Sequence, residues 1–382
     1  MTRPLRIAQV APPMERVPPL AYGGTERVIY ELVKELDRRG HEVTTFASGD
    51  SEVPGRLVAT VPEALRPAGY GGDASPYFYL TMRAVLDLAH EFDIIHSHLE
   101  WASVLLAKVS PVPVVSTFHS RLDLPWADAT FASPTRGLVA ISRNQAATHP
   151  NVEWAGIVHN GLTLDDAPFD RRRGDGLCFV GRITPEKGVI EAIEIAKECG
   201  RPLKIAAKVG PMPAERQYFE TVFQPALESG GSSIEFLGEL EQAERDALFA
   251  ESYAALMPGS WPEPFGLVAI EALACGTPIV ARRVGALPEI IRDGVDGYFG
   301  DDVKDLAFKV GRVGDLDRAE ISQSVRERFS AGRMTDGYEA IYREMSGEAG
   351  SGAASEDGAA ADAGTGDRAP HGLRSLPATA VR

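Results

Sequence analysis

The sequence has 382 residues, a formal net charge of −15 at pH 7 and a hydrophobic fraction of 44%. This acidic balance excludes nonspecific binding of nucleic acid or anionic lipid over the whole surface, while local basic sites for phosphates stay open. The length predicts two domains, and the composition is that of a globular protein with enough apolar residues for two cores.

Cysteine usage and the N-terminal sequence indicate the compartment. Three scattered cysteines are typical of buried thiols in a reducing compartment, not of a disulfide framework or a zinc site: Cys178, Cys199 and Cys275. The N-terminal MTRPLRIAQV leads directly into a strand-like pattern, so no signal peptide is predicted. We expect a cytoplasmic protein. Peripheral contact with the inner face of a membrane stays open, although no basic amphipathic helix indicates it.

The N-terminal half begins with a β-α-β pattern. A short apolar strand is predicted at residues 5–10, a helix at 25–39 and a second strand at 42–47. Thr25 is the expected N-cap of this helix, and Gly40 is the residue that ends it. This order predicts a parallel sheet. Further strands are predicted at residues 94–97, 112–117, 137–141 and 156–158, and a helix at 81–90.

The second half repeats the alternation after a polar, Arg-rich linker at residues 170–175. Strands are predicted at residues 177–180, 203–209, 234–237, 254–257 and 278–281. Helices are predicted at residues 185–199, 245–251 and 266–275, with two closing helices between 321 and 345. The fold class is therefore α/β, with two doubly wound units. Ligands are expected at the carboxyl ends of the strands, in the cleft between the units.

Four parts make up the predicted domain organisation. Residues 1–169 form an N-terminal Rossmann-like domain, residues 170–330 a C-terminal Rossmann-like domain, and residues 331–345 a closing helix. Residues 346–382 are rich in Gly, Ala, Ser and Asp, with few large apolar side chains. Such a composition predicts a disordered tail.

A glycine pair precedes the first predicted helix. Gly23 and Gly24 would let the backbone approach a ligand, and a helix N-terminus offers free N–H groups to an anion. There is no G-x-G-x-x-G pattern, so an ordinary loop glycine pair stays the alternative.

The segment FVGRITPEKG joins a predicted strand to a predicted helix. Arg182 and Lys187 flank the turn, so two cations and a helix N-terminus would converge on one place. This arrangement suits a diphosphate, with arginine as a bidentate donor and lysine as a point charge. Two solvated surface residues are the alternative.

Histidines follow two of the N-terminal strands. In DIIHSHLEW, His96 and His98 lie on one face because strand side chains alternate with period 2. No clear third ligand follows, so packing or hydrogen bonding is favoured over a metal site. His119, in STFHSR, comes directly after another strand, which favours a place in the cleft over a structural role. The single D-x-D motif, at residues 315–317, is expected to cap or solvate a helix.

The stretch PEPFGLVAIEALACGTPIV contains two informative acids. The prolines around Glu263 force an extended loop, after which the amides of Phe265, Gly266 and Leu267 begin a helix and lack partners. Glu271 lies close to the apolar stripe of that helix, so its carboxylate needs donors from the protein or from a ligand's hydroxyls. A salt-bridged Glu271 and a surface Glu263 are the alternative.

Together these motifs resemble the retaining glycosyltransferases of family 4, which have the GT-B architecture of two Rossmann-like domains facing across a cleft. The resemblance covers most of the chain from residue 5 to 345. It rests on GGTERVIYELVKELDRRGHEVTTFA, DIIHSH, STFHS, IVHNGL, FVGRITPEKG and, most specifically, the E-x7-E motif in EPFGLVAIEALACGTPIVA. It further implies a C-terminal helix that returns to the N-terminal domain.

The resemblance implies roles for the acids and their neighbours. Glu271 would accept hydrogen bonds from the ribose hydroxyls of a nucleotide, and Glu263 would contact donor-sugar hydroxyls near the anomeric face. The amides of Phe265, Gly266 and Leu267 would hold the sugar and the diphosphate.

It also implies roles for residues elsewhere in the cleft. Arg182 and Lys187 would neutralise the diphosphate as it becomes the leaving group, while Gly23 and Gly24 would let a loop approach the β-phosphate. His119 would hydrogen-bond the donor sugar. No metal and no cofactor are expected, and the donor would be a UDP- or GDP-sugar.

The acceptor is expected on the N-terminal domain, as an unidentified sugar, glycan or lipid-linked molecule. Irregular loops at residues 12–22, 51–76 and 120–134 would surround it, with Tyr22 and Trp126 as lining or as loop packing. Many relatives carry Gly-Gly before Pro-Glu, where this chain has GALPE at residues 285–289. This departure puts the contacts of that loop to the donor in doubt.

Two alternative functions stay open at this point. One is a GT-B epimerase or phosphorylase, although no motif for a pyridoxal phosphate lysine is found. The other is a non-catalytic sugar-nucleotide-binding protein, which would bind a donor without transferring its sugar.

Overall fold

The computed structural model describes residues 3–20, 23–169, 174–210 and 212–347. Residues 170–173 of the expected linker and residues 348–382 of the expected tail lie outside this range, as does Tyr22. The described residues form two parallel sheets, each covered by helices on both faces.

The first sheet belongs to the N-terminal half and has the order β3-β2-β1-β4-β5-β6-β7. Its strands are β1 (Arg6–Val10), β2 (Glu42–Ser48), β3 (Arg56–Val61), β4 (Ile94–Ser97), β5 (Val114–Phe118), β6 (Leu138–Ala140) and β7 (Trp154–Ile157). Its helices are α1 (Gly24–Arg38), α2 (Ser75–Asp87), α3 (Trp101–Val109), α4 (Pro125–Phe131) and α5 (Arg143–Ala147). The apolar face of α1 packs on the sheet through Val28, Leu32 and Leu36.

The second sheet has the order β10-β9-β8-β11-β12-β13. Its strands are β8 (Leu177–Arg182), β9 (Leu203–Lys208), β10 (Ile234–Gly238), β11 (Ala254–Met257), β12 (Ile279–Arg282) and β13 (Gly297–Gly300). The helices that follow are α6 (Val189–Cys199), α7 (Pro213–Tyr218), α8 (Gln224–Gly230), α9 (Gln242–Glu251), α10 (Leu267–Ala274), α11 (Leu287–Ile290), α12 (Val303–Val310), α13 (Arg318–Arg328) and α14 (Ala331–Met345). Each sheet reverses its strand order beside its first strand, which places ligands at the carboxyl ends there.

The predicted α/β class and the two doubly wound units are confirmed, but several local predictions are wrong. Helix α1 begins at Gly24, not at Thr25, and the residue before it, Gly23, offers no side-chain cap. The predicted helix at 185–199 is split, because Gly188 adopts φ +78° between a 3₁₀ turn at Pro185–Lys187 and α6. Elements without strong periodicity, such as β3 and α3, were missed.

Helix α14 returns to the N-terminal domain, as the resemblance implied. Tyr338 and Tyr342 are fully buried among the apolar residues beneath the first sheet. Their hydroxyls reach the strands, with Tyr338 Oη 3.1 Å from Thr117 Oγ1 and Tyr342 Oη 2.6 Å from His96 Nδ1. The C-terminal helix therefore ties the two halves of the chain together.

Two smaller expectations have clear outcomes. Asp317, the last residue of the D-x-D motif, caps α13 by accepting hydrogen bonds from the amides of Ala319 and Glu320. Trp126 lies on α4, within the segment expected to be an irregular loop, and packs against the cluster that contains Phe118 and Leu122. Within the described part of the chain, no helix is long and apolar enough to cross a membrane.

Candidate functional site

A cavity of about 560 Å³ lies between the two sheets, at the carboxyl ends of β1, β5, β8 and β11. All ten residues singled out from the sequence line it: Gly23, Gly24, His119, Arg182, Lys187, Glu263, Phe265, Gly266, Leu267 and Glu271. The fold therefore brings together residues that lie up to 248 positions apart (271 − 23).

The glycine pair forms the N-terminal edge of this cavity. A side chain at Gly23 would place its Cβ 2.7 Å from Cβ of Pro19, so glycine is required there by packing. A Cβ at Gly24 would lie 3.3 Å from Cδ1 of Leu267 in the opposite domain. The loop thus approaches the start of α10 directly across the cleft.

The opposite edge is the N-terminus of α10. Gly266 adopts φ +113° just before the helix, a conformation that favours glycine. Among the described residues, none accepts a hydrogen bond from the amides of Phe265, Gly266 or Leu267. These three N–H groups are the unpaired donors of the helix start, and they border the cavity. They are therefore available to an anion or a hydroxyl oxygen.

Lys187 and Glu263 form an ion pair in the cavity wall. Each side chain is only 19% exposed, so neither is a solvated surface residue. The turn that carries Lys187 is braced by the loop after β11, because the amide of Trp261 donates to the carbonyl of Glu186 at 3.1 Å. The ammonium group also lies 5.7 Å from the centre of the Trp261 ring.

Arg182 ends β8 beside the same turn. Its guanidinium lies 3.4 Å from the carboxylate of Glu215 and 4.0 Å from that of Glu186. Its Nε is buried and has no protein partner. The side chain thus keeps donors to spare and borders the cavity, which suits the binding of an anion.

Glu271 is 4% exposed on the otherwise apolar helix α10. Its Oε1 pairs with Arg27 of α1 and with Arg245 of α9, the latter at 3.3 Å. The protein thus supplies two of the donors that a buried carboxylate requires. Arg27 and Arg245 were not singled out from the sequence, because nothing in the spacing of E-x7-E points to distant arginines.

His119 belongs to a buried chain of polar groups. Its Nε2 lies 2.9 Å from Nδ1 of His98, whose Nε2 lies 3.0 Å from Oε1 of Gln9. Gln9 in turn donates through Nε2 to the hydroxyl of Tyr342 at 3.0 Å. His96 and His98 are engaged by hydrogen bonds, as expected from the sequence. Burial lowers the pKa of His119 to about 4, so its ring is neutral at pH 7.

Glu100 holds the loop that carries His119. Its carboxylate accepts hydrogen bonds from the amides of His119 and Ser120, at 3.0 and 3.1 Å, and from the Ser120 hydroxyl at 2.8 Å. Glu100 has φ +52°, the one positive φ among the described residues other than glycine. Burial raises its pKa to about 7, against the effect of these hydrogen bonds. Glu100 follows the His-x-His pair by two residues, but no pattern in the sequence marks it as a site residue.

Two further polar residues of the cavity were missed. Asn160 is 4% exposed, and its Oδ1 has no protein partner. It lies in the motif IVHNGL, which served for the resemblance only. Glu26 is buried in the first turn of α1, and burial raises the pKa of its carboxyl to about 7. Both residues line the cavity on its N-terminal side.

The loop at residues 285–289, whose GALPE sequence departs from the family pattern, contacts the backbone of Glu263. The amide of Ala286 donates to the carbonyl of Glu263 at 2.9 Å. Gly285 adopts φ +56°, and a Cβ there would lie 2.4 Å from the amide nitrogen of Glu263. Glycine is therefore required at this position to let the two backbones meet. In the part of the chain that the structure describes, no group of three or more His, Cys, Asp or Glu side chains could hold a metal ion.

Comparison with known proteins places this site in a family. The model for "Glycosyl transferases group 1" matches residues 172–327, and the model for "Glycosyltransferase Family 4" matches residues 22–162. A D-inositol 3-phosphate glycosyltransferase of Mycolicibacterium paratuberculosis is 30% identical over 327 residues, which cover 72% of this chain and 73% of that protein. The chain belongs to the group 1 glycosyltransferases.

A further relative and a solved structure are similar to this chain over most of its length. A glycogen synthase of Mycobacterium tuberculosis is 26% identical over 379 residues, covering 84% of this chain and 89% of that protein. The Anabaena protein Alr3699/HepE, solved with UDP-glucose, superposes with a TM-score of 0.67 at 16% identity, over 90% of this chain and all of that one. The GT-B glycosyltransferase fold is thus shared over nearly the whole described chain.

Proposed function

We propose that this glycosyltransferase moves a hexosyl group from a UDP- or GDP-sugar to an acceptor hydroxyl, with retention of the anomeric configuration and without a metal ion. The observation that carries the proposal is the convergence of Arg182, Lys187 and the unpaired amides of Phe265–Leu267 on one cavity. These groups suit a diphosphate, and HepE, which has the same fold, was solved with UDP-glucose.

The two ends of the cavity fit the two ends of a nucleotide sugar. Glu271 lies in the second turn of α10 and lines the cavity, as do Lys208 and Leu240, and we assign the ribose and the base to this end. Glu263 lies in the loop before α10 and lines the same cavity, as do His119 and Asn160, whose polar side chains suit sugar hydroxyls. A volume of about 560 Å³ falls within the range of small-molecule sites.

Charge development decides which groups assist the reaction. The bond between the anomeric carbon and the β-phosphate oxygen breaks, and negative charge collects on the diphosphate. Arg182, Lys187 and the helix amides would stabilise that charge in place, which is the largest contribution in many enzymes. These donors would neutralise the leaving group in the absence of a divalent cation.

Retention follows if the acceptor oxygen bonds to the face of the anomeric carbon from which the phosphate leaves. The acceptor proton then passes to the departing phosphate oxygen, so every proton is accounted for. In this scheme Glu263 hydrogen-bonds the sugar and forms no covalent bond. Nδ1 of neutral His119 is buried and has no protein partner, so a sugar hydroxyl that reaches it on donor binding would find an acceptor there.

The test begins with thermal unfolding in the presence of UDP-, GDP-, ADP- and TDP-sugars, because a ligand of the folded state raises the melting temperature. The best donor is then incubated with a panel of sugar, glycan and lipid-linked acceptors, with and without excess EDTA. We expect transfer that persists in EDTA and a product whose anomeric configuration, read by NMR, equals that of the donor.

Donor binding, retention and metal independence can each be refuted separately. Binding of no nucleotide sugar would refute the donor assignment, and an inverted product would refute retention. Loss of transfer in EDTA, restored by Mg²⁺, would refute metal independence. Donor binding without transfer to any acceptor of the panel would favour the non-catalytic alternative.

A further inference from the structure

We propose that Arg27 is a positioning residue for ribose recognition, which holds the carboxylate of Glu271 in place from the opposite side of the cleft. The inference rests on the proposed function, since it concerns the nucleotide end of the same site. It assigns a role in donor binding to a residue of the N-terminal domain that is not itself required to touch the nucleotide.

The contacts of Glu271 are asymmetric. Both arginines, Arg27 through Nη1 and Arg245 through Nη2, bind the same oxygen, Oε1. No described residue donates to Oε2, and this oxygen is not among the fully buried polar atoms. Anchoring one oxygen fixes the direction of the other, so Oε2 is left as the acceptor for the ribose hydroxyls.

The two anchors come from different domains. Arg245 lies on α9, which packs against α10 in the same domain. Arg27 lies on α1, four residues after Gly23, and only 23% of its side chain is exposed. The Arg27 contact therefore spans the cleft.

Arg27, Arg245 and Glu271 also lie between two cavities of the molecule. Among the described residues, these three line both the donor cavity and a second interdomain cavity of about 360 Å³. The second cavity is lined by further charged side chains, including Lys34, Glu31 and Asp246. Without Arg27, the Glu271 carboxylate could turn toward this space.

Removing Arg27 has a defined physical consequence. The carboxylate would keep Arg245, which contacts it at 3.3 Å, and would lose its cross-domain partner. A carboxylate free to rotate pays an ordering cost each time it binds a ribose. Affinity for the ribose hydroxyls should fall, while contacts to the diphosphate at Arg182 and Lys187 stay as they are.

The experiment compares nucleotides that differ only in the ribose. Binding of UDP, GDP and ADP, and of their 2′,3′-dideoxy counterparts, is measured by calorimetry for the wild type, for Arg27→Gln and for Arg38→Gln. Arg38 is the matched control, because its side chain is 70% exposed on the same helix and pairs with Glu35. The readout is the ratio of the two dissociation constants, dideoxy over ribo.

We expect Arg27→Gln to weaken binding of the preferred ribonucleotide by roughly tenfold and binding of its dideoxy counterpart by less than about twofold, as for two coupled groups. The ratio should therefore collapse in Arg27→Gln and stay at the wild-type value in Arg38→Gln. Arg27→Lys keeps the charge but loses the planar fork, so an intermediate ratio is expected. If Arg27→Gln fails to fold, the ratio is measured on Arg27→Lys instead.

The outcomes separate the inference from the function. If the wild type discriminates and both Arg27 variants keep its full ratio, Arg27 does not act through the ribose and the inference is overturned. An equal loss for ribo and dideoxy nucleotides overturns it too, because it indicates a merely structural role. If the wild type binds none of the three nucleotides, the proposed function itself fails.

Discussion

Nε2 of His119 lies 2.9 Å from Nδ1 of His98, and this contact leaves Nδ1 of His119 as the ring nitrogen outside the hydrogen-bond network. Gln9 donates to Tyr342, so its Oε1 accepts from His98 Nε2, and His98 must carry its proton there. His98 Nδ1 then accepts from His119, whose own Nδ1 keeps a free lone pair. The geometry thus presents His119 as a hydrogen-bond acceptor.

The first prediction concerns His98. His98 is the hydrogen-bond partner of both Gln9 and His119. His98→Leu therefore leaves the side-chain oxygen of Gln9 and the ring N–H of His119 buried without a partner. We expect a loss of about 2–4 kcal/mol in the free energy of unfolding, measured by urea denaturation, because each unsatisfied group costs about 1–3 kcal/mol. Transfer should also slow, since the His119 ring is no longer held.

His90 provides the matched control for that variant. It is exposed at the surface of the same domain. His90→Leu should change the free energy of unfolding by no more than about 0.5 kcal/mol, as for most surface substitutions. Equal effects of the two changes would show that the network contributes nothing to stability.

The second prediction concerns Lys187. Lys187→Ala removes a cation from the expected leaving group, and it leaves Glu263 without its ion-pair partner. We expect kcat to fall by roughly 10²–10³-fold, the size measured for single preorganised donors. Lys204→Ala is the control, because Lys204 is 48% exposed on the same domain. Steady-state kinetics with the preferred donor check the result, and a kcat within a factor of two of the wild type would contradict the role.

The third prediction uses the raised pKa of Glu100. Its carboxyl has a pKa of about 7 in the folded protein, against an ordinary value of 4.5. The folded state therefore binds a proton between these values, and the stability that this proton contributes is present below pH 4.5 and lost as the pH rises to 7. Glu100→Gln has no such proton, so its stability lacks this dependence.

The measurement compares the wild type with Glu100→Gln by urea denaturation at pH 4.5, 6 and 8. The stability of the wild type relative to the variant should decrease as the pH rises across this range, by up to about 1.4 kcal/mol per pKa unit. Buried histidines contribute to both proteins alike and cancel in the difference. A difference that stays constant with pH would mean that Glu100 titrates near its ordinary value.

Much of the site could be predicted because it follows from backbone topology. Parallel strands bring their carboxyl ends to one edge, so motifs that follow strands, such as Arg182 and His119, converge whatever their separation in the sequence. The start of α10 was placed within one residue by its prolines and by Gly266.

The partners of these residues could not be predicted in the same way. The pairing of Glu271 with Arg27 joins side chains 244 positions apart, and only the relative placement of two domains decides it. Glu100 could not be predicted, because its place in the site depends on its own positive φ and not on a periodic pattern. The alternative of a salt-bridged Glu271 agrees with its ion pairs to Arg27 and Arg245. The ribose role of Glu271 stays a prediction.

The last prediction compares two glycines at the ends of α6. Gly188 and Gly200 both adopt positive φ, +78° and +62°. A Cβ at Gly188 would lie 2.6 Å from the amide nitrogen of Gly259, while a Cβ at Gly200 would meet nothing within 4 Å. Gly200→Ala should therefore cost only the conformational strain, about 1–2 kcal/mol.

Gly188→Ala should cost more, because the turn must also move away from the loop after β11. That turn carries Lys187, so kcat should fall together with stability, whereas Gly200→Ala should leave kcat unchanged. Urea denaturation and steady-state kinetics on both variants give the two readouts. If Gly188→Ala lost no more stability than Gly200→Ala and kept its kcat, the close approach to Gly259 would not be what positions Lys187.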